Sequence, residues 1–252
     1  ETVPSRGLVA TLLYQAEQGL TKLTDNGEKS WTITGVADEA AWAKTDDVTR
    51  YVGTQLGVTT PNSQFKASKS ASAGEELQKA RDGLAAATSA WATGVGAQRR
   101  ASAETLARVL VIVVAVVVVI MTIFIRPSVS LYVLPFAAFV IGGAGLLAPG
   151  VGVRRTTLGR DLWSQSGGFE RMLSTDSAKD RFDFSGKKDL YTSFIPYAVA
   201  FDCADRWAKK YEVATGSPAP MPVWYSPSAS SSGVGFFGNH DSFSGFESSL
   251  SS

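Results

Sequence analysis

The sequence predicts a mainly α chain with a small β-hairpin, built as a two-helix transmembrane hairpin plus a cytoplasmic winged-helix-like domain. Three observations predict it. Two uncharged apolar runs, Val109–Ile125 (VLVIVVAVVVVIMTIFI) and Val129–Val153 (VSLYVLPFAAFVIGGAGLLAPGVGV), are separated only by Arg126–Ser128. An apolar stripe at helical spacing opens the chain and leads to Asn26-Gly27 between alternating segments. Further helical stripes, rich in aromatics, follow the second run.

Long uncharged runs mark bilayer spans. As a helix the first run is roughly 26 Å long at 1.5 Å per residue, near the thickness of the hydrocarbon core. The β-branched residues of Val109–Val119 suit a buried strand, but the run is far longer than strands usually are. A buried core hairpin is the weaker alternative, because a soluble helix normally keeps a polar face. Lys and Arg near the span ends set orientation. Arg99, Arg100 and Arg108 precede the first run, and Arg154, Arg155 and Arg160 follow the second. The turn holds only Arg126, which can snorkel to headgroups at modest cost. The expectation is a multi-pass protein of the cell membrane, with both soluble arms cytoplasmic and the turn outside.

Residues 1–58 read as the winged-helix-like segment. Leu8, Leu12, Leu13, Ala16 and Leu20 form a helical stripe, with Ser5 as N-cap and Gly19 as the stop. Asn26-Gly27 is a strong hairpin signal, and Trp31 and Ile33 alternate with Thr32 and Thr34 as in a half-buried strand. Helix followed by hairpin is the second half of a winged-helix unit. A helix is expected from Asp46 to Leu56, with Val48, Tyr51, Val52 and Leu56 on one face.

Residues 59–106 read as a loop and an amphipathic helix leading to the membrane. Thr59–Gly74 is polar and turn-rich, hence a loop. Glu75–Trp91 carries Leu77, Ala80, Leu84, Ala87 and Trp91 at helical spacing. Residues 107–153 are the hairpin of spans. Residues 154–215 form a helical segment, with one helix over Leu158–Leu173 and a second stripe of Tyr197, Phe201, Ala204, Trp207, Ala208 and Tyr211. Trp163, Phe169, Phe201 and Trp207 are expected to be buried where the two arms meet. Residues 216–252 are a Pro/Ser/Gly/Phe-rich tail. Its Ser and Gly alone would predict disorder, but Phe236, Phe237, Phe243 and Phe246 argue that parts of it dock on an apolar surface.

Chemistry is sparse. The net charge is +1, from 24 Lys+Arg against 23 Asp+Glu, which argues against a nucleic-acid partner. Cys203 and His240 are the only residues of their kinds, so no disulfide and no Cys/His metal cluster can form within the chain. There is no phosphate-binding Gly-rich loop and no G-x-S-x-G elbow. Asp202 with Asp205, and Asp180 with Asp183, are paired carboxylates, but Arg181, Lys187, Lys209 and Lys210 nearby favour a solvated charged face. No catalytic residue, metal or cofactor is expected, nor a small-molecule substrate. Gly142, Gly143 and Gly145 lie inside the second run and offer a close helix-packing face, with Ala138 and Gly142 as a small-x-x-x-small pair. That face could serve the first span or another protein's helix. DNA binding would use Ser5–Gln18 as recognition helix through Arg6, Gln15 and Gln18, but Glu1–Arg108 holds twelve acidic and twelve basic residues, not the basic surface phosphate requires.

Several segments together resemble the DUF2207, or YciQ-like, family of predicted bacterial membrane proteins. They are LVATLLYQAEQGLTKLTDN (Leu8–Asn26), the paired spans, and GGFERML (Gly167–Leu173). They continue with FIPYAVAFDCADRWAKKYE (Phe194–Glu212), VWYSP (Val223–Pro227) and the Ser/Gly/Phe tail. Gln18 stands where the family often has Arg, and Ile195 where it often has Leu before PYA. The resemblance implies an upstream signal segment, an extracytoplasmic β-rich domain and a further span, and it supplies no catalytic residue. The chain also begins with Glu1 rather than Met, which fits a longer parent.

The functional expectation is a non-enzymatic accessory, scaffold or regulatory subunit of a membrane assembly. Its partner would be another membrane protein, bound through Gly142, Gly143, Gly145 and the four tail phenylalanines. The alternatives are a membrane-tethered nucleic-acid-binding regulator, or an enzyme whose site lies upstream.

Overall fold

The computed structural model describes residues 3–27, 30–68, 70–124, 134–148, 151–175 and 188–227. Helix α1 (Val3–Glu17) already includes Ser5, so Ser5 is not its cap. It ends as expected at Gly19. Leu20 N–H donates to the Gln15 carbonyl and Gly19 N–H to the Ala16 carbonyl, each at 2.9 Å. This paired C-cap needs a left-handed residue, and Gly19 has φ 71°. Strands β1 (Thr21–Asp25) and β2 (Trp31–Gly35) pair antiparallel, with Asp25 opposite Trp31. Gly27 turns the chain at φ 77°, its N–H held by Asp25 Oδ1 at 2.8 Å. Thr32 is buried as well as Trp31 and Ile33, so β2 is covered on both faces rather than half-buried. Asn26 Nδ2 donates to Thr32 Oγ1 at 2.8 Å and satisfies it there.

After α2 (Glu39–Trp42) comes α3 (Asp47–Gln55), matching the expected helix. Asp46 caps it by accepting from the N–H groups of Val48 and Thr49. The expected loop Thr59–Gly74 contains a strand, β3 (Gln64–Ala67), which pairs with β2 and sets Phe65 opposite Ile33. Helix α4 (Ala71–Gly94) starts before and ends after the expected Glu75–Trp91.

Then follow β4 (Gln98–Arg100), α5 (Ser102–Phe124) and α6 (Leu134–Gly143) with a 3-10 turn over Ala144–Leu147. Next come β5 (Val153–Arg155) and α7 (Thr157–Ser174), the latter as expected. The described residues end with α8 (Lys188–Ser193), α9 (Ile195–Ala200), α10 (Ala204–Thr215) and β6 (Tyr225–Ser226). The single stripe read across Tyr197–Tyr211 is two helices. The break falls at Phe201–Cys203, where Asp202 has φ 56°.

The chain divides into two units, Glu1–Trp91 with Ser164–Ser252, and Ala92–Trp163. In the first, both arms contribute to one core. It holds Leu8, Leu12 and Leu13 of α1, Trp31 and Ile33 of β2, Leu77 of α4, Leu173 of α7 and Trp207 of α10. The sheet order is β3-β2-β1-β6, with β6 parallel to β1. The hairpin read as a wing is thus the inner pair of a four-stranded mixed sheet. Phe65 and Tyr225 on the flanking strands cover it.

In the second unit α5 packs on α6, and β4 pairs antiparallel with β5. Thr156 closes this ribbon, its Oγ1 donating to the Gly96 carbonyl at 2.7 Å and its N–H to the Ala97 carbonyl at 3.1 Å. Arg108 Nη2 donates to the Leu147 carbonyl at 3.0 Å, at the end of the 3-10 turn. Among the described residues one helix, α5, is long and apolar enough to cross a membrane. The apolar helix Leu134–Leu147 is shorter, and it loses α-helical geometry after Gly143, so the described part of the second run is less than a full span. The Arg126–Ser128 turn lies outside the described residues.

Candidate functional site

Helix α5 is about 34 Å long at 1.5 Å per residue, enough for a hydrocarbon core. Val109, Leu110, Ile112, Val113, Val116 and Val117 are all exposed. Soluble proteins rarely leave so large an apolar surface in water. Val111 is the exception, 1 % exposed. It is covered from α6: a Cβ at Gly143 would lie 2.6 Å from Val111 Cγ2. The three glycines therefore do not share one face. Successive residues on a helix point about 100° apart, so Gly143 turns to α5 while Gly142 turns away. A Cβ at Gly142 or Gly145 would meet nothing within 4 Å, and Ala138 is exposed with them. Phe236, Phe237, Phe243 and Phe246 lie outside the described residues, as do His240, Asp180 and Asp183.

The ribbon beside these helices places Arg99 directly opposite Arg154, with Arg100 opposite Val153 and Arg155 opposite Gln98. Glu104 pairs with Arg154 and also accepts from Gly152 N–H at 3.0 Å. The Arg155 guanidinium lies 5.2 Å above the Trp163 ring. Trp163 is 64 % exposed, contrary to its expected burial, because its indole lies beside Arg155 in this unit. The signal for the ribbon was the pair QRR and VRR flanking the apolar runs, but three-residue strands fall below the reach of alternation patterns.

The first unit carries little chemistry. A cleft of about 250 Å³ opens between α1, α3 and α9, with Tyr14, Asp46 and Tyr197 among its walls. Asp46 is occupied as the α3 cap and also accepts from Thr49 Oγ1 at 2.6 Å. Burial, with Tyr14 adding to it, raises the Tyr197 phenol above its ordinary range. The Cys203 thiol is 2 % exposed, and burial pushes it up to about 11, away from the thiolate that a nucleophile needs. Asp202 and Asp205 do not share a helix: Asp202 lies in the α9–α10 turn and pairs with Arg6 at 2.9 Å. Among the described residues no group of three His, Cys, Asp or Glu comes together as a metal site.

A family model described as predicted membrane protein (DUF2207), C-terminal domain, matches residues 1–211. The chain belongs to the DUF2207 family. No curated protein and no solved structure matches it. The family description and the exposed apolar surface of α5 agree that this is a membrane protein.

Of the segments that resemble DUF2207, Leu8–Asn26, Gly167–Leu173, Phe194–Glu212 and Val223–Pro227 contribute to one core. Phe169 of GGFERML makes edge contacts with Phe194, Tyr197 and Phe201, at centroid distances of 5.2, 5.4 and 6.2 Å. Trp207 is fully buried, stacks on Tyr191 at 6.0 Å, and donates its Nε1–H to the Tyr191 carbonyl at 3.2 Å. Lys210 is buried beside it and donates to the Met172 carbonyl at 2.7 Å, in the last turn of α7 where a cation is favoured. Trp224 donates Nε1–H to Glu17, and Tyr225 stacks on Trp31 at 5.7 Å. These residues build the fold, which accounts for their apolar and aromatic character.

Proposed function

We propose that this DUF2207 chain is a multi-pass membrane protein whose two apolar runs cross the bilayer as a hairpin with both soluble arms in the cytoplasm. It serves as a non-enzymatic accessory, scaffold or regulatory subunit of a membrane protein assembly. One observation carries the reading. Gly143 is engaged with Val111, while Gly142 and Gly145 stand open on an exposed apolar helix. Small residues there admit close approach of a second protein's helix. The tail phenylalanines offer aromatic anchors of the kind that dominate interfaces.

Nucleic-acid binding through α1 is the weaker reading. Gln15 is buried, with Nε2 donating to the Thr49 carbonyl at 2.8 Å. Arg6 pairs with Asp202, and Glu17 accepts from Ser193 and Trp224. A helix so engaged presents few side chains to a groove.

Purification in mild detergent tests the assembly. Gly142→Leu with Gly145→Leu, and separately the four phenylalanines changed to Ser, should lose co-purifying proteins while staying folded. Unchanged partners in both variants, or a parent chain that runs as a lone monomer, would contradict the reading.

A further inference from the structure

We propose that the β4–β5 ribbon is a headgroup clamp: Arg99 on one face of it, and Arg100 with Arg155 on the other, bind the phosphates of anionic phospholipids at the membrane surface. The inference rests on α5 being inserted in a bilayer. Its first support is the distribution of charge. Between Ala92 and Trp163 there are seven basic residues, all arginine, and two acidic ones, Glu104 and Asp161. Of the chain's 24 basic and 23 acidic residues, that leaves 17 and 21 for the other unit. The positive charge is therefore concentrated in the unit that carries the apolar helices, and it is carried by the side chain whose planar fork binds phosphate with two hydrogen bonds.

The second support is the strand register. Arg99 and Arg154 face each other directly across the ribbon, a like-charge arrangement that is unfavourable by itself. Glu104 compensates Arg154. Among the described residues no carboxylate forms a salt bridge with Arg99, Arg100 or Arg155, and all three are exposed. Bound phosphate removes that repulsion. The third support is position. Arg100 ends β4 two residues before α5 begins, and Ala101 N–H donates to the Gly152 carbonyl at 2.9 Å, which fixes the ribbon to the helix root. An exposed Trp163 under Arg155 has the amphipathic character found at the headgroup level. A charge cluster fixed to the root of an exposed apolar helix meets lipid phosphate before any soluble polyanion.

The test uses the full chain in phosphatidylcholine vesicles carrying a trace of spin-labelled phosphatidylglycerol or spin-labelled phosphatidylcholine. The relative association of the two labels is read from the motionally restricted fraction. The parent should prefer phosphatidylglycerol several-fold. Each of Arg99→Gln, Arg100→Gln and Arg155→Gln should lower the preference by up to ~5-fold, the effect of one surface arginine near anionic lipid. The restricted phosphatidylcholine fraction should stay unchanged and serves as the insertion control. Equal association of both labels with the parent, or a preference that survives all three substitutions together, overturns the clamp while leaving the membrane reading intact. No restricted lipid of either kind overturns both. Loss of the preference when inorganic phosphate replaces chloride at constant ionic strength would assign a soluble-anion site instead. Displacement by duplex DNA would assign a nucleic-acid surface, and either result overturns the lipid assignment.

Discussion

Trp207 lies in the core that both arms of the chain build. Its indole is closed in by Tyr191 and Phe194 from its own arm, within the same core as Leu8, Leu12 and Leu13 from the other. Trp207→Ala should cost about 3–5 kcal/mol, the range for a large core aromatic. Denaturant unfolding of the detergent-solubilised protein measures it, and a loss below about 1 kcal/mol would contradict this burial. A second expectation at this scale concerns pH. Burial raises the Cys203 thiol to about 11 and also raises the Tyr191 phenol, with Glu212 adding to the latter. Both groups stay protonated in the fold and ionise more readily when unfolded. Their contribution is therefore fully present below the ordinary thiol range near 8.5 and is lost as pH rises toward the folded values. The unfolding midpoint should fall between about pH 9 and 11 and should fall less in Cys203→Ala. A midpoint that is flat or rises over that interval would contradict the assignment.

At the scale of elements, β6 shows how a short segment can close a fold. Two residues pair with β1, Tyr225 stacks on Trp31, and the neighbouring Val223 is 97 % exposed. Tyr225→Ala should cost about 3 kcal/mol, and Val223→Ala should stay within about 0.5 kcal/mol. Equal effects would contradict the pairing. The same element shows what the sequence makes legible. Helices α1, α3, α5 and α7 were readable because long periodic stripes and caps such as Gly19 and Asp46 act locally. Strands β3 and β6 were not, since four and two residues give too little alternation and their partners lie far along the chain. The α9–α10 break was hidden because Tyr197, Phe201 and Ala204 keep helical spacing across a turn. The glycines of the second run were legible as a packing feature. Their division between Val111 and open space depends on the helix rotation, which spacing alone does not give.

The whole molecule joins an arginine-rich apolar unit to a mildly acidic unit that contains both arms of the chain. If both arms share one core, they must lie on the same side of the membrane, and an even number of crossings between them follows. An even number requires the second apolar run to span together with α5. Single cysteines at Ser72, Ser128 and Ser228, introduced into a Cys203→Ala chain, test it in intact cells with a membrane-impermeant thiol reagent. The account predicts labelling at position 128 only, with positions 72 and 228 labelled after the cells are opened. Labelling of position 72 or 228 from outside, or failure to label 128 from outside while all three react in opened cells, would contradict it.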